Sequence, residues 1–172
     1  DTLVQLGLGY MQKGDLNVAL EKLTLALDAA DNYAPPHSAI AILYTRLGRD
    51  EEADKHFLRS VKLAPDDGNL SNNYGAFLCD RGRYDEAYEY FHKAANQPLY
   101  KTPAMAYENA GLCALRENNL TVAEQSFRSA LKIRRNMTVS LISMARVALL
   151  NKNYLQSTEF ISSFMLSTFN TF

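Results

Sequence analysis

Leu6-Gly7-Leu8-Gly9-Tyr10, followed by Ala19, Leu23 and the pair Ala26-Leu27, decides the fold, because its pattern returns four more times down the chain. Gly7, Ala41, Gly75, Gly111 and Ala145 share one phase. Ala19, Ala53, Ala87, Ala123 and Ser157 share a second, and Leu23, Phe57, Phe91, Phe127 and Ile161 a third. The successive shifts are 34, 34, 36 and 34 residues. A period in this range marks a solenoid, in which each unit buries its apolar face only by stacking on its neighbours. Five such units and two extra residues account for all 172 positions, so one domain spans 1–172, with units at 1–33, 34–67, 68–103, 104–137 and 138–172.

Each unit reads as two amphipathic helices joined by a turn. In the second, one helix runs near Pro36–Leu47 and another near Glu51–Leu63, with Gly48 placed where a helix C-terminus needs a left-handed residue. Asp50, Glu51 and Glu52 suit the positive end of the second helix, and Pro65 ends it. The third unit repeats this design with Gly82, Asp85 and Glu86. Small residues at the first two phases let helices approach at 8–10 Å, and the large residue of the third phase fills the space beside them. The fifth unit fits least well, with Lys152 at the turn and Phe164 where the others carry Ala or Ser.

Net charge is −1, with acids and bases interspersed, so no basic stripe offers itself to nucleic acid. No run of about 18 apolar residues predicts a membrane-spanning helix. The chain opens at Asp1 without methionine or a signal-like segment and reads as mature or trimmed. The stretch from Ser162 to Phe172 carries Phe164, Met165, Leu166, Phe169 and Phe172 with no polar cap, which predicts a truncated solenoid or a partner helix.

No catalytic, metal or cofactor site is expected. His37, His56 and His92 are read as lying in different units and phases and so as unable to converge on a metal. No Gly-rich phosphate loop occurs either. The two cysteines, Cys79 and Cys113, fall on the first helices of adjacent units, where the thiols are within reach of a bridge or else pack as two buried free thiols.

Tyr10 and Tyr44 a turn after the small residue, with Tyr84 and Tyr154 near the start of second helices, make the whole pattern resemble the tetratricopeptide repeat. The resemblance implies an all-α, right-handed superhelical solenoid of about five repeats whose first helices bind other proteins. Repeats of this kind that clamp a C-terminal carboxylate use Lys and Asn at phases held here by Val4, Ser38 and Asn72, and by Leu8, Ile42 and Ala76. Lys is absent from both sets. The expected groove is therefore apolar, formed by Val4, Leu8, Met11, Ile42, Ala76, Leu112 and Leu115, with Asn72 as a polar anchor for a partner's backbone. The alternative is that half of these residues pack against the next first helix.

Gln5-Leu6-Gly7-Leu8-Gly9-Tyr10-Met11-Gln12-Lys13-Gly14, Asn72-Asn73-Tyr74-Gly75-Ala76-Phe77-Leu78-Cys79, and Leu99-Tyr100 through Pro103 to Gly111-Leu112-Cys113 resemble the PilF/PilW family, outer-membrane lipoprotein pilotins of type IV pilus biogenesis. The resemblance extends from about Asp1 to Tyr154, and the longer step between units falls at the same junction. It implies a role in bringing the pilus secretin to the outer membrane and assembling it there, or in stabilising fibres. It also implies a periplasmic location with a lipid anchor, although the family's lipidated N-terminal cysteine is absent from this chain. Cysteines matching Cys79 and Cys113 occur in some members, which favours the bridge in an oxidising compartment. The competing reading is a cytosolic adaptor or secretion chaperone that binds an apolar peptide.

Overall fold

A computed structural model describes residues 2–169, with side chains described as far as residue 166. Phe172 and the side chain of Phe169, both part of the apolar tail, lie outside the described residues. Ten helices follow one another: α1 (Thr2–Lys13), α2 (Leu16–Ala29), α3 (Ala34–Arg46), α4 (Asp50–Leu63), α5 (Gly68–Asp80), α6 (Tyr84–Ala95), α7 (Pro103–Glu117), α8 (Leu120–Ile133), α9 (Thr138–Leu150) and α10 (Tyr154–Phe169). No strand occurs among the described residues.

Consecutive helices pair as antiparallel hairpins, α1 with α2 through α9 with α10, and the second helix of each pair also packs on the first helix of the next. The odd-numbered helices touch one another in sequence, whereas among the described residues no two even-numbered helices bring their backbones close together. That asymmetry curves the stack into an all-α superhelical solenoid, with the odd helices lining its concave side and the even helices splayed on its convex side.

The turn inside each hairpin sits at a single phase. Gly14, Gly48, Gly82, Asn118 and Lys152 all have positive φ, between 58° and 85°. The first three carry no side chain to strain, Asn tolerates the left-handed region, and Lys152 occupies it against its preference. The closest helix approach is equally regular. A Cβ built on Gly7 would stand 2.6 Å from Leu23, one on Gly75 2.9 Å from Phe91, and one on Gly111 2.6 Å from Phe127.

Leu23, Phe57, Phe91 and Phe127 are sealed in the core, but Ile161 at the same phase is 40% exposed. The expectation that Ile161 fills the same gap fails because, among the described residues, no odd helix follows α10 to cover it.

The 36-residue step is absorbed between α6 and α7. Tyr100 folds back so that its ring lies where a Cβ on Gly68 would be, 2.5 Å from the ring carbon, and clusters with Ala94 and Ala106. Leu99, beside it, is 91% exposed.

Polar links tie every junction. Arg46 donates to the Met11 carbonyl at 2.9 Å. Asp54 accepts from the Tyr74 hydroxyl at 2.8 Å and from Arg83 at 2.9 Å. The Tyr88 hydroxyl donates to Glu117 at 2.6 Å, and Glu108 accepts from both the backbone and the hydroxyl of Ser140. Burial and the acceptor beside each phenol, Asp54 or Glu117, hold Tyr74 and Tyr88 above the usual tyrosine pKa.

Candidate protein-binding surface

The concave face is built from one stripe of each odd helix, and exposure decides which of its residues a partner can reach. Leu8, Ile42, Asn72, Ala76, Leu112 and Leu115 are half-buried and line it. Val4 and Met11 do not: they are 5% and 3% exposed and join the core with Ile40 and Leu43 of α3. Helix α3 packs across α1 at that phase, and Arg46 reaches over to the Met11 carbonyl. The accessible groove is therefore narrower at its N-terminal end than the spacing predicts.

Asn72 is partly engaged within the fold, since its Oδ1 accepts from Asn109 Nδ2 at 3.0 Å. Its amide group remains the donor available to a partner. Two steps along, Arg116 is ion-paired with Asp80, and these two frame a small cavity of about 90 Å³ with Ala76, Asn109 and Leu112. The cavity floor includes Cys79 and Cys113, whose sulfur atoms are bonded to each other with Cα atoms 5.8 Å apart. The bond joins α5 to α7 across the long step, and it fixes the middle of the groove more firmly than packing alone would.

The C-terminal end of the same face is more apolar. Ile142 and Leu149 are about half exposed, and with Ala145, Phe160 and Ile161 they line a pocket of about 250 Å³ between α9 and α10. Arg146 stands at its edge with no ion-pair partner among the described residues. Periodicity alone does not reveal this pocket; its signal in the sequence is the apolar composition of α9.

The histidines depart from expectation. His37 and His56 belong to the same hairpin, and their Nδ1 atoms are 3.1 Å apart. His37 Nε2–H donates to the Asp31 carbonyl at 3.1 Å, so with a neutral His37 ring its Nδ1 accepts from His56 Nδ1–H. Their phases differ, but those phases face each other across the hairpin, which is why different phases did not keep them apart. Burial first, and His37 second, hold the His56 pKa below the ordinary imidazole value. His92 is exposed in another hairpin, and the described residues contain no group of three metal-ligating side chains. No helix of the described residues is long and apolar enough to cross a membrane.

Comparison with known proteins places these features. The sequence profile of the tetratricopeptide repeat matches residues 37–71 and 66–136. The type IV pilus assembly protein PilF of Pseudomonas aeruginosa is 29% identical over 164 residues, which are 95% of this chain and 65% of that protein. This chain thus spans less than two thirds of that relative's length. An uncharacterised protein of Haemophilus influenzae is 32% identical over 130 residues, or 76% of this chain and 73% of its own. The PilF structure superposes with a TM-score of 0.88 at 28% identity, covering 97% of this chain and 75% of that one. The structure of PilW, described as a widely conserved type IV pilus biogenesis factor, superposes at 0.85 with 26% identity, covering 97% and 76%. The chain belongs to the tetratricopeptide repeat family, a family of protein-interaction scaffolds, and within it is of the PilF/PilW type.

Proposed function

We propose that this chain is a non-catalytic scaffold in type IV pilus biogenesis whose concave groove binds a subunit of the outer-membrane pilus secretin and assists its localisation and assembly. The observation that carries this reading is the likeness to PilF and PilW across nearly the whole chain. The groove supplies a mechanism. Leu8 and Ile42 offer aliphatic contact, the Asn72 amide offers a donor to a partner's backbone, and Leu112 and Leu115 extend the apolar strip. The Cys79–Cys113 bond supports a periplasmic working place, because such bonds persist in oxidising compartments. A lipid anchor on the full-length protein would hold the solenoid at the inner face of the outer membrane. Affinity capture from detergent-solubilised membranes tests the reading: the secretin is expected among the captured proteins, and its consistent absence contradicts the assignment.

A further inference from the structure

One phase of the first helix and one of the second, a fixed spacing apart, recur in all five hairpins. The pairs are Leu6 and Lys22, Ile40 and His56, Tyr74 and Tyr90, Ala110 and Ser126, Met144 and Phe160. In the third hairpin the two rings lie 4.6 Å apart. In the fifth, Met144 and Phe160 belong to one cluster, and in the second His56 rests between the His37 and Tyr44 rings. Only in the fourth are both members small. A pocket of about 310 Å³ opens there, in the cleft between α6 and α8 and floored by α7. Ala110 and Ser126 line it where the other hairpins carry bulk, and Tyr88, His92, Tyr107 and Gln125 complete its walls.

The chemistry of the walls specifies the guest. Tyr107 and His92 meet edge to face at 6.1 Å, a geometry that leaves ring faces for a further aromatic group. Gln125 and the Ser126 hydroxyl offer donors and acceptors for a polar tip. The Tyr88 hydroxyl is committed to Glu117, which holds that wall in place. The neighbouring hairpin fills the same space with phenol rings, one of which is tied by its hydroxyl to Asp54. We infer that this pocket is a binding site for a phenol side chain, an exposed tyrosine of a protein partner. The site lies on the convex side of the solenoid and is separate from the concave groove, so both surfaces can be occupied together.

Titration of the full chain with p-cresol, followed by saturation-transfer NMR and calorimetry, tests this. Saturable binding at one site is expected, with N-acetyltyrosinamide competing for it. Ser126→Tyr rebuilds the bulk of the sibling hairpins from within, and it is expected to keep the helical spectrum while weakening p-cresol binding at least tenfold. Ala110→Leu serves as a second filling variant should the first disturb folding. Non-saturable uptake by the wild type overturns the inference. So does undiminished binding in a folded filling variant, or failure of N-acetyltyrosinamide to compete. Leu8→Asp with Ile42→Asp is expected to leave p-cresol binding intact, which separates this site from the groove.

Discussion

Gly75 and Phe91 are in such close register that a Cβ on the glycine would sit 2.9 Å from the ring and 3.2 Å from the Ala87 carbonyl. The backbone of α6 cannot yield there without parting the hairpin. Gly75→Leu is therefore expected to destabilise the protein by about 1–3 kcal/mol, as is Ala53→Leu at the second phase. Urea melts of both variants check this, and curves matching wild type would refute the register.

The Cys79–Cys113 bond encloses a separation of 34 residues, so loop closure in the unfolded chain assigns it roughly 3–4 kcal/mol. Reduction, or Cys113→Ser, is expected to lower the urea midpoint by a corresponding amount. Thiol labelling of the denatured, unreduced protein is expected to find no free thiol in a periplasmic preparation. Two labelled thiols would rule the bridge out.

Lys152 holds the left-handed turn that three hairpins give to glycine. Lys152→Gly removes that strain and is expected to stabilise the last hairpin by about 1 kcal/mol. Hydrogen exchange of α9 and α10 amides reads the effect locally, and unchanged or faster exchange would contradict it.

His56 is a base whose folded pKa lies below its ordinary 6.5, so the unfolded chain binds the proton more readily. Stability is then full above about pH 6.5 and falls as pH drops towards the folded value. The carboxylates of Asp50, Glu52 and Glu86 are held low by Arg81, Arg49 and Arg83, so their loss comes in a separate window, below the ordinary carboxylate range. Melting temperatures between pH 7 and pH 5 should decline in wild type and decline less in His56→Gln. Equal slopes would show that another group is responsible.

Much of the fold was legible because one period controls several physical demands at once. The left-handed turn, the close helix approach and the filling ring recur at fixed phases, so Gly48, Gly75 and Phe91 could each be placed from spacing alone. Concave exposure was less legible. Val4 and Leu8 look alike in sequence, and only the way α3 crosses α1 buries the first and leaves the second half-open. The expectation that His37 and His56 lie in different units was wrong, since both fall within 34–67; what spacing did not show is that their different phases face each other across the hairpin. Ile161 shows the limit of periodicity at an end, where a phase keeps its residue type but lacks the helix that would cover it. The empty space beside Ala110 was written in the sequence as two small residues at opposing phases. It becomes visible only when all five hairpins are compared for bulk.

The concave groove is where partner binding is tested most directly. Leu8→Asp together with Ile42→Asp places two charges on half-exposed concave positions while leaving the buried Gly7–Leu23 contact intact. Quantitative capture of the pilus secretin from detergent-solubilised membranes, with wild type and the double variant compared at equal folded concentration, is the decisive measurement. Loss of capture with an unchanged circular dichroism melt is the predicted result, and undiminished capture by the folded double variant would contradict the account.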